Sequence, residues 1–198
     1  KNLLFSTLLR CEVPAPEQFR LTMAVSAAMI EMLASHLPAD GSLTIKWPND
    51  IYYGDKKLAG ILVENTLVGS RVAYSIVGIG LNVNQRVFHS LAPNPISMQQ
   101  ITGKEYAAAS LLDEYLAALE RCLCMPAEML QAAYMAHLYR RTGLHPYIER
   151  EVSLAPTTIA QDTAGAFLAE ILGITQQGEL ILRKENGEEK TYHFKQIR

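Results

Sequence analysis

The chain has 198 residues, 49% of them hydrophobic, and a net charge of −2 from 18 basic and 20 acidic side chains. That length and apolar content suit one medium domain, or one domain with a small appendage. There is no basic stripe and no acidic tail, which excludes nucleic-acid binding through bulk charge; an anionic substrate would have to be held by a few local groups.

The sequence opens at Lys1 and runs directly into Asn2–Leu9, a strand-like apolar stretch with no preceding turn. It reads as the middle of a domain, so the expectation is an N-terminal segment upstream, where any targeting signal would lie. Residues 3–10 are expected as a buried strand. Pro14 and Pro16 punctuate, and Pro16 suits a first helical turn. From Glu17 to His36, Leu21, Val25, Ala28, Met29, Met32 and Leu33 recur at helical spacing, and Pro38 and Gly41 end the run. Three strands follow: Leu43 to Tyr53, interrupted at Pro48, then Lys57 to Glu64, then Val72 to Val83. Gly54-Asp55 is a two-residue hairpin turn and Gly69-Ser70 a second connection, which together give an antiparallel meander. Residues 85–103 read as a long irregular loop, either a functional lid or a surface excursion.

A helix is predicted from Lys104 to Leu123 with Leu111, Leu112, Tyr115, Leu116, Leu119 and Leu123 inward, and another from Pro126 to about Arg140. The three cysteines, Cys11, Cys122 and Cys124, are odd in number and lack framework spacing, which points to reduced thiols in a cytoplasmic protein. Cys122-x-Cys124 has no His or Cys at zinc-like spacing after it. No apolar run is long enough to span a bilayer. Past Gly143 and Pro146 the texture changes to short alternating segments: Tyr147 to Leu154, Phe167 to Leu172, Glu179 to Arg183 and Lys190 to Phe194. Gly178 and Asn186-Gly187 separate the later ones. This is the pattern of a small antiparallel barrel, with a domain boundary near residue 145.

Candidate chemistry concentrates between residues 46 and 84. Lys57 begins an otherwise apolar strand, and in a regular strand Lys56 would point to the opposite face. An inward lysine requires an anionic partner, such as a substrate carboxylate or phosphate. Alternatively, both lysines guard a hairpin end against edge pairing. Asn49 and Asp50 follow Pro48 and offer an amide and a carboxylate, either to a nucleotide-borne magnesium or to an Asx turn. Gly60, Gly78 and Gly80 interrupt two neighbouring strands, as a floor for a flat ligand or as bulges and crowded packing. Asn82 and Asn84 share one face and call for polar company.

The runs Lys46-Trp47-Pro48-Asn49-Asp50, Lys57 to Leu62 and Gly78 to Asn84 resemble the K-W-P-N-D, K-x-A-G-I-L and G-x-G-x-N-x-N motifs of biotin protein ligases, in the same order. The resemblance extends more loosely to Ile174–Leu182. It implies an α+β fold: a mixed or antiparallel sheet like that of class II aminoacyl-tRNA synthetases, flanked by helices, over residues 1–144, then an SH3-like barrel over 145–198. It implies activation of biotin with ATP and Mg2+ to biotinyl-5′-adenylate, and transfer to a lysine of a biotin carboxyl carrier domain. On this resemblance Lys57 contacts the biotin carboxyl and the α-phosphate. Asn49 and Asp50 serve the nucleotide, with Asp50 at its magnesium, and Asn82 lies on the nucleotide side. Gly60, Gly78 and Gly80 underlie biotin and the adenylate, and Ala92–Met98 fall where the family covers the adenine. The family includes homodimers formed through sheet edges. Its glycine- and arginine-rich loop and upstream Ser-Thr pair are not in this sequence, so the chain by itself is expected to be inactive and the complete protein a ligase. The alternatives are a biotin-responsive repressor and a lipoyl or octanoyl transferase.

Overall fold

The computed structural model describes residues 1–89, 94–151, 161–162 and 165–197. Ala92 and Pro93 of the expected adenine-covering segment, and residues 152–154 of an expected strand, lie outside these. The chain divides into two compact units, Lys1–Tyr139 and Arg140–Arg198.

The first unit is built on a five-stranded antiparallel sheet. Its strands are β1 (Leu3–Pro14), β2 (Leu43–Lys46), β3 (Asp50–Tyr53), β4 (Lys56–Val68) and β5 (Arg71–Leu81), in the order β1-β5-β4-β3-β2. The meander follows from tight turns: Gly54 at φ +56° and Gly69 at φ +60° occupy the left-handed region that glycine reaches at no steric cost. Helix α1 (Phe19–Ala34) packs on β2, β3 and β4, and on α3 (Ala108–Leu123) and α4 (Ala127–Ala136). Val25, Ala28, Met29 and Leu33 of α1 are fully buried with Ile45, Ile51, Leu58, Val77 and Leu81 of the sheet. Each such side chain contributes roughly 1.5–3 kcal/mol of transfer free energy, so this interface carries the unit. The other face of the sheet is open, and Leu4, Leu8, Leu62 and Ile76 are exposed on it.

Several elements differ from expectation. A short helix, α2 (Met98–Thr102), interrupts the 85–103 stretch. It begins in a capping box: Ser97 accepts from the Gln100 backbone, the Gln100 side chain accepts from Ser97, and Gly103 ends the helix at φ +75°. Helix α3 starts at Ala108, and its buried residues are Leu111, Tyr115, Ala118, Leu119 and Cys122. Leu116 is exposed because it sits about 100° around the helix from Tyr115. Helix α4 stops at Ala136, since the chain then pairs with β2: Ile45 N–H donates to His137 O at 2.7 Å and Tyr139 N–H to Ile45 O at 2.9 Å.

The second unit holds a four-stranded antiparallel sheet and a two-stranded one. The larger has β6 (His145–Tyr147), β9 (Phe167–Ile174), β10 (Leu180–Lys184) and β11 (Glu189–Tyr192) in the order β11-β10-β9-β6. The smaller pairs β7 (Arg150–Glu151) with β8 (Gln161–Asp162). Ala169, Ile171, Leu180, Leu182 and Tyr192 form its core. One polar knot stands out. Glu149 Oε1 accepts from Tyr192 Oη at 2.5 Å and from Lys190 Nζ at 3.1 Å, and Lys184 Nζ lies 3.5 Å away. The tyrosine hydroxyl, more than either lysine, holds the Glu149 carboxyl below its ordinary range against the opposing effect of burial. A carboxylate with a depressed folded-state value adds stability above its unfolded value, about 4.3, and loses it as pH falls through the folded value. Glu149→Gln is therefore expected to lower stability by about 1 kcal/mol at pH 7. In urea titrations from pH 7 to 3 the gap to the parent protein should close in acid; a pH-independent gap would refute the linkage.

Candidate active site

The open face of the first sheet carries the residues that the sequence singled out. A row runs straight across four strands: Asp50 pairs with Gly60, Gly60 with Gly80, and Gly80 with Leu4. One step along, Leu62 pairs with Gly78 and Gly78 with Ser6. Three glycines in two adjacent rows leave a strip of bare backbone flanked by Leu4, Ser6 and Leu62.

Lys57 reaches this strip through a bulge. Ile51 pairs with Ala59 but Tyr52 with Lys57, so Leu58 is an extra residue in β4. In a regular strand Lys57 would share a face with buried Ala59 and Ile61. The bulge buries Leu58 and Ala59 in succession and turns Lys57 to the side of Gly60. Its Nζ lies 2.6 Å from Asp50 Oδ1, and the two side chains are 32% and 30% exposed. That partial access lets an incoming anion compete for the ammonium. A Cβ built on Gly60 would lie 3.2 Å from both Cε and Nζ of Lys57, so the lysine lies across the glycine. A Cβ on Gly80 would lie 3.2 Å from Leu4 Cδ2, whereas at Gly78 the nearest atom, Ser6 Oγ, is 3.7 Å away. A side chain at Gly60 or Gly80 would therefore have to displace the tip of Lys57 or Leu4, while Gly78 leaves ordinary room.

The turn before Asp50 is pinned from two sides. The Trp47–Pro48 bond is cis. Asn49 Nδ2 donates to Ile61 O at 2.6 Å, fastening the turn to β4. The hydroxyl of Tyr134, on α4, donates to Pro48 O at 2.7 Å. Tyr134 was not singled out in the sequence; its place beside Leu130 on the inner face of α4 marks it as core, and nothing local names its partner.

Asn82 and Asn84 find their polar company in backbone. Asn82 Nδ2 donates to Ile96 O at 3.0 Å and, more weakly, to Lys57 O at 3.4 Å. Asn84 Nδ2 donates to Tyr106 O at 2.8 Å, and its Oδ1 accepts from Tyr106 N–H at 3.0 Å. Residues Asn94–Ile96, part of the segment expected to cover the adenine, run alongside Lys57: its N–H donates to Asn94 O at 2.9 Å and its O accepts from Ile96 N–H at 3.0 Å. Among the described residues no group of three His, Cys, Asp or Glu is placed to hold a metal. A protein-built cage does not fit; a magnesium carried by a nucleotide fits, since it needs only one or two carboxylates and Asp50 offers one. Among the described residues no helix is long and apolar enough to cross a membrane.

The sequence model of the Biotin/lipoate A/B protein ligase family matches residues 1–82. The chain is 30% identical over 191 residues to the bifunctional ligase/repressor BirA of Bacillus spizizenii, covering 94% of this chain and 55% of that protein. It is 27% identical over 190 residues to the biotin--[acetyl-CoA-carboxylase] ligase of Paracoccus denitrificans, covering 94% of this chain and 75% of that protein. It is similar in fold to the biotin protein ligase of Aquifex aeolicus solved with biotin and ATP, with a TM-score of 0.67 at 22% identity, over 100% of this chain and 77% of that one. The chain spans about half the length of the Bacillus relative. The match to the biotin/lipoate A/B protein ligase family thus lies in residues 1–82, and the similarity to these ligases runs over 94% of the chain.

Proposed function

We propose that this chain is the catalytic core and C-terminal domain of an ATP-dependent biotin protein ligase. The observation that carries the reading is the Lys57–Asp50 ion pair lying over a strip of backbone bared by Gly60 and Gly80. In the first step a biotin carboxylate oxygen attacks the α-phosphorus of ATP, and the bond to the β-phosphoryl oxygen breaks, releasing pyrophosphate. Two anions must meet, so the ammonium leaves Asp50 and bridges the attacking carboxylate and the α-phosphoryl oxygens, where negative charge develops. Asp50, released from the lysine, would hold a nucleotide-borne magnesium, which would offset phosphate charge, with Asn49 on the nucleotide side. In the second step the ε-amine of an acceptor lysine attacks the acyl carbon and AMP leaves. In this reading Asp50 accepts the proton that the amine loses.

The acceptor in this reading is a biotin carboxyl carrier domain in the cytoplasm. We assign the first unit to the class II aminoacyl-tRNA synthetase-like architecture and the second to an SH3-like barrel. A second reading, a ligase that also represses transcription, is favoured by the relative named for both roles. The test is biotin-dependent exchange of labelled pyrophosphate into ATP by the full natural chain that contains this sequence. Exchange with biotin and none with lipoate or octanoate is expected; exchange with lipoate alone would overturn the assignment.

A further inference from the structure

The row of paired residues that carries Asp50, Gly60 and Gly80 has a further member on its far side. Lys46 in β2 pairs directly with Asp50, so the order across the open face is Lys46, Asp50, Gly60, Gly80, Leu4. Directly opposed residues of an antiparallel pair share a face. Lys46 follows Ile45, which is fully buried against the helices, and alternation turns the lysine the other way. Its ammonium shows the same side: Nζ lies 3.4 Å from Tyr52 Oη and 5.0 Å from the centroid of that ring. Tyr52 is two residues from Asp50 and so stands on Asp50's face. It is a firm support, buried, with its ring 5.4 Å from that of Tyr139, whose hydroxyl donates to Asp55. A neutral aromatic ring attracts an ammonium without cancelling its charge. Two lysines thus flank Asp50: Lys57 lies across Gly60, and Lys46 stands at the opposite end of the row.

The reaction gives this order a direction. In displacement at phosphorus the attacking and leaving oxygens stand roughly in line, on opposite sides of the phosphorus. With biotin on the glycine strip, its carboxylate approaches from the Gly60 side. The α-phosphorus then lies by Lys57 and Asp50, and the leaving oxygen points onward along the row, toward Lys46. That oxygen takes the electron pair of the broken bond and departs as part of pyrophosphate. We propose that Lys46 is a catalytic residue of the first step: its ammonium holds the β- and γ-phosphoryl groups of ATP and stabilises pyrophosphate as it leaves. Lys57 serves the entering side of the phosphorus and Lys46 the leaving side. A compact ammonium on a flexible stem suits a group that must follow a moving anion. The inference rests on the ligase reading for its chemistry, whereas the pyrophosphate site can be tested without it.

The experiment has two arms on the full natural chain. It compares the parent with Lys46→Met, which keeps the stem over Tyr52 and removes the charge, and with Lys46→Arg, which keeps the charge. The first arm is calorimetric titration with inorganic pyrophosphate and magnesium. Affinity is expected to fall about 10- to 100-fold in Lys46→Met, the usual worth of a hydrogen bond to a charged group, and to recover in large part in Lys46→Arg. Equal affinity in the parent and Lys46→Met overturns the proposal whether or not the protein is a ligase. A parent that binds no pyrophosphate overturns it as well. The second arm separates the two steps. Biotin-adenylate synthesis, and its reversal by pyrophosphate, are expected to slow about 10- to 100-fold in Lys46→Met. Transfer from preformed biotinyl-5′-adenylate to a biotin carboxyl carrier domain should match the parent within about twofold, because pyrophosphate takes no part in it. An equal loss in both steps would make Lys46 a general support of the site and overturn the proposal. If the parent itself makes no adenylate, the ligase reading falls and the binding arm alone decides whether Lys46 holds pyrophosphate.

Discussion

Lys57→Ala in the full natural chain is expected to slow biotin-adenylate formation by about 100- to 1000-fold, the loss that follows when a preorganised donor at developing negative charge is removed. The binding of biotin should weaken far less, because the ammonium is asked to act where two anions close on each other, not in the approach of either alone. The ion pair sharpens the prediction. Asp50 lies 2.6 Å from the lysine, so removing the ammonium leaves a carboxylate facing the substrate's own. The added repulsion, on the order of 1 to a few kcal/mol for charges about 4 Å apart near a protein surface, belongs to Asp50. Asp50→Asn alone should impair both steps, since Asp50 serves the nucleotide's magnesium in the first and the amine's proton in the second. Added to Lys57→Ala it should cost the first step less than it does alone, because it also removes that repulsion. Lys57→Arg is not conservative, because a broad planar guanidinium replaces the compact ammonium that lies across Gly60. Rapid-quench measurement of the adenylate separates the two steps. A near-normal burst from Lys57→Ala would remove the lysine from the centre of the mechanism.

The parts of this arrangement that were legible in the sequence are those set by local chemistry. Gly54-Asp55 dictates its hairpin, and the apolar spacing from Leu21 to Leu33 dictates the buried face of α1. The glycines at 60, 78 and 80 could be read as a bare strip because alternation fixes their side of the sheet. The Leu58 bulge was not legible, because nothing in Lys57-Leu58-Ala59 distinguishes two successive buried residues from ordinary alternation; the extra residue is set by pairing with β3 on one side and with Asn94–Ile96 on the other. Regular alternation would have put Lys57 with Ala59, on the wrong face. Helix α2 was within reach, since Ser97 and Gln100 at capping-box spacing and Gly103 beyond mark both ends. The two asparagines were seen to need polar partners, but their partners lie 14 and 22 residues away in sequence, beyond any local pattern.

Tyr134 ties the stability of the first unit to the geometry of its open face, and two substitutions separate its roles. Tyr134→Ala is expected to cost about 3–5 kcal/mol, the range for removing a fully buried aromatic side chain and leaving its cavity. Its ring is 0% exposed and stands edge-on to Phe19, with centroids 5.7 Å apart at 79°. Tyr134→Phe keeps that packing and removes only the hydroxyl that donates to Pro48 O at 2.7 Å. Burial pushes the phenol well above its ordinary range, so the donor stays in place at every working pH. The phenylalanine variant leaves a carbonyl without its partner and should lose about 1–3 kcal/mol. Pro48 is two residues from Asp50, and Asn49 remains as the turn's other fastening, through Ile61 O. The slackened turn should therefore lower the adenylation rate by more than the fraction unfolded explains. Urea unfolding followed with the rate on the same samples distinguishes the outcomes. A Tyr134→Phe protein as stable and as fast as the parent would show that the hydroxyl neither supports the fold nor aims Asp50 at Lys57.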